Sequence, residues 1–194
     1  MQDSGIECLG KIPMHWRATK LKNIGHCVLG VTYKPEDTIQ EEIGHLVLRS
    51  SNIQNGKLCL NDCVYIKKGI ASPKQIVNIG DILICSRNGS RNLIGKNIKI
   101  CESLQGETFG AFMTIFRSKF SSKYNDFIYY FFNSTVFDAQ SGLYMSATIN
   151  QLTTRTLSNF AIALPPISEQ KAIADYLDKA CQNIDKTALP DFVG

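Results

Sequence analysis

The sequence predicts an α+β fold, in which a mixed and mostly antiparallel β domain with a few short helices precedes a C-terminal amphipathic helix. Three features favour this fold class. Short β-prone runs recur between turn residues, and one of them, residues 82–85, is apolar at every position, as in a strand buried on both faces. An aromatic run at residues 126–132 has polar flanks and the length of a helix. Near the end, Pro165-Pro166 stops a strand, and apolar residues at helical spacing follow.

The N-terminal half predicts strands separated by turns and loops. Residues 16–21 alternate loosely, which fits either a strand or a short helix, and residues 30–35 form a glycine-to-proline loop. Asn55-Gly56 predicts a tight hairpin turn, because both central positions of a type I′ turn take positive φ. Further strands are predicted at residues 45–49, 58–60, 64–66, 98–101 and 111–116.

The segment after residues 82–85 predicts a basic hairpin. Asn88-Gly89 has the residues of a hairpin tip, and Arg87 and Arg91 flank it. A narrow β-ribbon that carries two guanidinium groups is one way to read guanine in a major groove. Two other interpretations stay open: Asn88 serves only the turn, or the arginines bind phosphate or a protein carboxylate.

The aromatic run at residues 126–132 predicts a helix that packs on the core. Six contiguous apolar side chains cannot all face solvent without creating a large apolar patch. A stacking platform for single-stranded nucleic acid is the alternative. Residues 142–152 then predict a loop that leads to a short turn capped by Asn150.

The last strand and the helix after it have separate signals. Residues 160–164 predict a buried strand. Ser168 is then placed to cap the first turn of a helix, and the negative charge of Glu169 lies at the positive end of the helix dipole. Ile167 is placed to staple the entry by packing on Ala172. An apolar stripe follows, and it predicts a seam for a partner helix, with packing on the chain's own domain as the alternative. The stripe consists of Ile173, Tyr176, Leu177, Ala180 and Ile184, with Cys181 beside it.

The composition predicts a globular protein. Its 194 residues are 44% hydrophobic, which is enough for the core of one domain. Neither a signal pattern nor a run of about 18 apolar residues is present, so we expect a cytoplasmic protein without membrane contact. Cys59 and Cys63 lack a second pair of ligands, and the seven cysteines are scattered. We therefore expect reduced thiols, no metal site and no cofactor.

Positive charge is concentrated in the middle of the chain. The net charge is +4, but from Arg49 to Lys99 nine Lys and Arg residues stand against two acids, which leaves +7. The flanking residues 1–48 and 100–194 carry −1 and −2. This asymmetry favours an anionic partner, nucleic acid first, whereas an evenly solvated basic face would explain it without a partner.

Three stretches in order resemble a known family. They are Ile12-Pro13-x-x-Trp16, then Gly80-Asp81-Ile-Leu-x-x-Ser-Arg-Asn-Gly with Leu93-Ile-Gly-Lys, then Leu164-Pro-Pro-Ile-Ser-Glu-Gln-Lys. Across about residues 10 to 186 the chain is similar to a target recognition domain in the specificity (S) subunit of type I restriction-modification enzymes. Such subunits read double-stranded DNA and catalyse no reaction themselves. Two recognition domains, joined by paired helices, each read one half of a bipartite target.

The resemblance implies partners and site residues. The partners are double-stranded DNA, methyltransferase (M) subunits and a restriction and translocase (R) subunit. In the family, the loop of Lys34 and the loop of Ser146 and Thr148 lie toward the DNA. The residues predicted to contact DNA are Lys34, Arg49, Ser50, Asn52, Lys67, Lys68, Arg87, Asn88, Ser90, Arg91, Asn92, Lys96, Ser146 and Thr148.

The resemblance also predicts a domain organisation. We expect a recognition domain at residues 1–166, a spacer helix at 167–186 and a tail at 187–194. One recognition domain and a short helix suggest a fragment, a truncated product, or a half-subunit that pairs with itself or with a second recognition domain. An enzyme that acts alone, such as a nuclease using Asp81 and Glu107, is the alternative function. The sequence has neither a P-loop nor an Asn/Asp-Pro-Pro-Tyr/Phe methyltransferase motif, so we expect no catalysis.

Overall fold

Two four-stranded sheets and a layer of helices form the fold. A computed structural model describes residues 1–40, 43–120, 125–144 and 150–188, with side chains as far as Ile184. The strands are β1 (Gln2–Asp3), β2 (Lys11–Ile12), β3 (Arg17–Lys20), β4 (Gly25–Leu29), β5 (Thr38–Ile39), β6 (Gly44–Leu48), β7 (Ile53–Gln54), β8 (Lys57–Leu58), β9 (Tyr65–Lys67), β10 (Ile82–Cys85), β11 (Asn97–Lys99), β12 (Thr108–Phe109), β13 (Met113–Ser118) and β14 (Ala161–Leu164). The helices are α1 (Leu21–Ile24), α2 (Asn125–Phe132), α3 (Thr135–Tyr144), α4 (Thr154–Ser158) and α5 (Ile167–Ala188).

The sheets are mixed and mostly antiparallel. One sheet has the order β11-β10-β13-β4, with antiparallel pairs throughout. The other has the order β12-β6-β9-β5, in which only β12 and β6 are parallel. Two-stranded pairs join β1 with β2, β7 with β8, and β3 with β14. The predicted α+β fold class is confirmed.

Strand β10 lies at the centre of the three layers. All four of its residues are buried, as a run that is apolar at every position predicts. Ile82 and Ile84 face the cluster built by the helices, whereas Leu83 and Cys85 face the cluster built with the second sheet. Because strand side chains alternate between faces, this one strand contributes to both cores.

Most predicted strands form within two residues of their expected bounds. Residues 16–21 divide into β3 and the start of α1, so the strand interpretation is right for its first part. The turn between β7 and β8 has φ of 51° at Asn55 and 71° at Gly56, which confirms the hairpin turn. The aromatic run forms α2, with Ile128, Phe131 and Phe132 in the core. This confirms the packing interpretation of that run.

Two local predictions ahead of β14 are wrong. Residues 142–144, expected to begin a loop, are the end of α3, which buries Phe137 and Gln140 on one side. The cap of α4 is Thr153, whose hydroxyl accepts a hydrogen bond from Thr156 N at 3.1 Å, instead of Asn150. The sequence offers several oxygen side chains there, and only the chain path selects among them.

The start of α5 also differs from its prediction. Ser168 is the second residue of the helix, and the Pro166 carbonyl accepts the amides of Glu169 and Gln170 at 3.0 and 2.9 Å. Ser168 therefore does not cap. Ile167 is inside the helix and 44% exposed, so the staple on Ala172 does not form either.

A buried ion pair fixes one end of β10. Asp81 is 3% exposed, and its carboxylate accepts Arg117 Nε at 3.0 Å and Nη2 at 2.6 Å. Arg117 Nη2 also donates to the Ile76 carbonyl at 2.7 Å, and Asp81 accepts the Asn78 amide at 2.9 Å. These contacts tie β13 to the turn that enters β10.

The first residues are held against α5 by a second contact. Glu169 accepts the Trp16 indole N–H at 3.0 Å and lies 2.8 Å from His15 Nε2. The bond with His15, and then that with Trp16, lowers the pKa of Glu169. Within the described residues, every helix is too short or too polar to cross a bilayer.

Removing Asp81 should destabilise the fold strongly. Asp81→Ala leaves the Arg117 guanidinium, whose side chain is 18% exposed, without its counter-charge. We expect a loss of about 3 kcal/mol in the free energy of unfolding, measured by urea denaturation. Asp175→Ala is the matched control, since its ion pair with Lys171 is exposed, and its effect should stay below about 0.5 kcal/mol. Equal losses in the two variants would contradict the structural role of Asp81.

The contact at Glu169 should respond to acid. A lowered carboxylate pKa means that the contact is present above the ordinary pKa of glutamate and is lost as pH falls through the lowered value. Trp16 is the only tryptophan, so its fluorescence should titrate with a midpoint below the ordinary pKa of glutamate. Glu169→Gln should abolish that transition. A midpoint at or above the ordinary glutamate value, or a transition that survives in the variant, would refute the assignment.

Candidate nucleic-acid interface

Four segments meet at one end of the two sheets. Three of them follow β4, β6 and β10, and the fourth precedes β13. The backbones of Gly30 and Gly110 are in close contact: a Cβ on Gly30 would lie 2.1 Å from the Gly110 carbonyl oxygen. Val31 N also donates to the Phe109 carbonyl at 2.7 Å. Glycine at this position therefore allows the first and last of these segments to touch.

A cleft opens between three of these segments, those after β4 and β6 and the one before β13. Its volume is about 370 Å³, and residues 31–33, 49–51 and 110–113 line it. Phe112 stands at the cleft with 55% of its surface exposed. The sequence places Phe112 in a predicted strand at 111–116, but β13 begins at Met113 and leaves the ring outside the sheet. No signal in the sequence distinguishes this phenylalanine from a strand residue.

The predicted β-ribbon after β10 does not form. Neither Asn88 nor Gly89 has positive φ, and residues 86–96 make a loop whose return is marked by Gly95, with φ of 88°. Asn88 instead accepts the Ser90 amide at 3.0 Å through its side chain. The sequence predicts a two-residue tip because Asn-Gly is compatible with one. The side chain of Asn88, however, also stabilises this wider turn.

Bonds between segments hold this loop in place. The Asn88 amide donates to Ser50 Oγ at 3.2 Å, and the Asn150 amide donates to the Gly89 carbonyl at 3.1 Å. Arg87 forms an isolated antiparallel bridge with Gln151. The loop is thus attached to the segments on either side of it.

Arg87 and Arg91 are both exposed. The Arg87 guanidinium lies over the Phe112 ring, with Cζ 5.1 Å from the centroid. Arg91 opens a short 3₁₀ turn at Arg91–Leu93. Among the residues that the structure describes, neither arginine forms an ion pair with a carboxylate, in contrast to Arg49 and Arg117.

Two of the predicted site residues hold the scaffold. Asn52 is completely buried, and its side chain accepts the Arg49 amide and donates to the carbonyls of Cys59 and Asp62 at 2.9 to 3.0 Å. The Lys96 amine donates to the Ile53 carbonyl at 2.8 Å. These contacts support the loops from behind and leave Asn52 no free face toward solvent.

The other predicted residues are spread more widely: Lys67 pairs with Gly44, at the opposite end of β6 from Arg49. Arg49 pairs with Asp62 at 2.7 Å, which occupies part of its guanidinium. Lys34 lies 3.8 Å from the Glu36 carboxylate, and Lys67 donates to the Glu36 carbonyl at 2.8 Å. Five of these residues are exposed: Lys34, Lys67, Lys68, Ser90 and Asn92. Ser146 and Thr148 lie outside the described residues.

The two acids that a nuclease would use, Asp81 and Glu107, bind other groups of the fold. Asp81 is in the buried pair with Arg117, and Glu107 Oε2 accepts the Leu46 amide at 2.6 Å. Both carboxylates therefore hold backbone or charge inside the fold. No group of three His, Cys, Asp or Glu side chains capable of sharing a metal ion occurs in the ranges that the structure covers.

Helix α5 buries only part of its predicted apolar stripe. Its first half packs on α2, with Gln170 and Ala174 buried, and the Tyr130 hydroxyl donates to Asp178 at 2.6 Å. The alternative of packing on the chain's own domain is thus right for that half. Of the predicted seam, Ile173, Leu177 and Ala180 are half-buried, whereas Tyr176 is 72% and Ile184 64% exposed.

Comparison with known proteins identifies relatives along nearly the whole chain. The model of the type I restriction modification DNA specificity domain matches residues 13–190. The chain is 31% identical over 182 residues to the specificity subunit of the type I restriction enzyme EcoKI from Escherichia coli strain K12. That match covers 92% of this chain and 39% of the relative, so the chain spans about two fifths of the curated relative's length.

Solved structures share the fold. The HsdS subunit from Thermoanaerobacter tengcongensis superposes with a TM-score of 0.68 at 18% identity, over 93% of this chain and 45% of that one. A chain from a structure on complex assembly and conformational transition of the type I R-M system gives a TM-score of 0.70, also at 18% identity, over 93% and 42%. At this identity, the similarity establishes the fold alone.

The contact between Gly30 and Gly110 should tolerate no side chain. Gly30→Ala places a methyl group against the Gly110 backbone, so we expect a loss of about 1 to 3 kcal/mol in unfolding free energy. Gly89→Ala, on the same surface, meets no atom within 4 Å and should change the unfolding free energy by less than about 0.5 kcal/mol. Urea denaturation of both variants measures the difference. A Gly30 variant as stable as the Gly89 variant would contradict the packing described above.

Proposed function

This chain belongs to the type I restriction modification DNA specificity family, and on that premise we propose that it reads one half of a bipartite double-stranded DNA target. One observation carries the proposal: Arg87 and Arg91 are exposed on a loop that other segments hold in place, without an acid partner in the described part of the chain. Guanidinium groups of this kind donate two bonds to the major-groove edge of guanine.

Exposed lysines outside this loop would bind the DNA backbone. Lys34, Lys67 and Lys68 are exposed and belong to the basic middle of the chain or border it. Contacts with phosphate fix the register of a protein on a duplex but carry no sequence information. We therefore assign sequence reading to the two arginines, with Ser90 and Asn92 beside them, and orientation to the lysines.

Asn52, Asn88 and Lys96 act behind the reading surface. Their polar groups bond to neighbouring backbone or to Ser50, as described above. A loop held from several sides loses less conformational entropy when it binds. In this proposal these residues position the readers instead of touching bases.

The other subunits of the restriction-modification complex would attach through α5. Family membership supports methyltransferase (M) subunits and a restriction and translocase (R) subunit as partners in the cytoplasm, with the recognition chain itself catalysing no reaction. The exposed residues Tyr176 and Ile184 continue the half-buried stripe of Ile173, Leu177 and Ala180. We assign this face to a partner helix, supplied by a second recognition domain or a second copy. The recognition domain then ends at 166, with the spacer helix at 167–186.

Selection from random duplexes tests this function. We expect the chain to enrich one short sequence, and Arg87→Ala or Arg91→Ala to lose about 1 to 3 kcal/mol of discrimination at one base position each. Lys68→Ala should weaken binding to all sequences alike and reduce the salt dependence by about one counterion. Lys171→Ala, whose lysine is paired with Asp175 on α5, should change neither quantity. If no sequence is enriched, alone or with methyltransferase added, the proposed function fails.

A further inference from the structure

Phe112 and Arg87 form a pair that the backbone holds together. The Phe112 carbonyl accepts the amides of Ser86 and Arg87, each at 3.0 Å, and the Ser86 hydroxyl at 3.2 Å. The guanidinium then lies 5.1 Å from the ring centroid, within the range of a cation–π contact. Three bonds to one carbonyl thus fix the Cα positions from which both side chains extend.

Both members of the pair present a free surface. Phe112 is 55% exposed although one face of its ring lies against the arginine. Arg87 is exposed and has no carboxylate partner among the described residues, so its donors remain available. A single exposed phenylalanine needs no explanation by itself. Its combination with a fixed and unneutralised guanidinium is what suggests a ligand.

The 5.1 Å between Arg87 Cζ and the Phe112 ring centroid sets how the two groups can lie along a duplex. A guanidinium that reads guanine lies close to the plane of that base pair. A ring that faces the guanidinium at this distance lies out of that plane, toward the neighbouring base pair, because successive pairs are roughly 3.4 Å apart. At that level the apolar group on the major-groove edge is the C5-methyl of thymine.

We propose that Phe112 reads the methyl group of a thymine next to the guanine that Arg87 reads. The inference rests on the proposed function and assigns a base step within the target: a G·C pair followed or preceded by a T·A pair. Phe112 has two roles in it. Its ring orients the guanidinium through the stacking contact, and its free edge contacts the thymine methyl.

Replacing thymine with uracil tests the methyl contact directly, because the two bases differ only by that group. In the selected target we expect deoxyuridine at the position next to the guanine to weaken binding about fourfold, the value for one buried methyl group. Fluorescence anisotropy at fixed salt measures both duplexes. Phe112→Ala should bind the thymine and uracil duplexes equally and should also weaken the preference for guanine that depends on Arg87.

Two control variants separate the possible outcomes. Phe120→Ala removes the exposed phenylalanine beyond the opposite end of β13 and should leave the preference for thymine unchanged. Arg87→Lys keeps the charge but lacks the rigid planar fork that stacks on the ring, so it should weaken the guanine preference and retain the preference for thymine over uracil.

The failure of this inference differs from the failure of the proposed function. The inference is overturned if the chain selects a sequence but uracil at every thymine position leaves affinity unchanged. It is also overturned if Phe112→Ala behaves like Phe120→Ala, or changes only the bend of the DNA, as a wedge between bases would. If no sequence is selected at all, it is DNA recognition itself that fails.

Discussion

Burial of β10 on both faces is the constraint on which the fold depends. Four consecutive apolar residues supply side chains to the helical layer and to the second sheet, so neither layer can shift without disturbing the other. The Asp81–Arg117 pair fixes the entrance of the strand, and the loop with Arg87 and Arg91 leaves its exit. The loop that carries these two arginines therefore extends from a strand that is packed on both faces.

The arginines discussed above fall into two groups, those paired with a carboxylate and those without such a partner. Arg49 and Arg117 face carboxylates and stabilise loops and strands, whereas Arg87 and Arg91 have no such partner among the described residues. The sequence alone shows only that the middle of the chain is basic. Asp62 pairs with Arg49 of that region, whereas Arg87 and Arg91 stay exposed on one loop and Lys67 and Lys68 are exposed outside it. The two exposed arginines therefore add to an electrostatic attraction for anionic ligands that the exposed lysines also supply.

The strands were predictable from the sequence because their signal is local. Apolar runs such as residues 82–85, the Asn55-Gly56 turn and the Pro165-Pro166 stop are each specified within a few residues. The candidate site is specified by longer-range contacts. Whether Asn88-Gly89 forms a tight tip depends on Ser50 and Asn150, which are 38 and 61 residues away along the chain from their partners. The exposure of Phe112 depends on where β13 begins, and the cap of α4 depends on the path of the chain before it. None of these can be deduced from the spacing of residue types.

The hydrogen bonds between segments have a consequence for engineering. Asn88 with Ser50, and Asn150 with Gly89, connect three stretches that are far apart in the sequence. Transplanting only the stretch with the arginines into a homologous scaffold would leave these bonds without their partners, and the graft would adopt another shape. A chimaera with altered preference needs all three stretches from the same donor. The unit to exchange is thus a surface patch formed by three separate stretches of sequence, and not one continuous stretch.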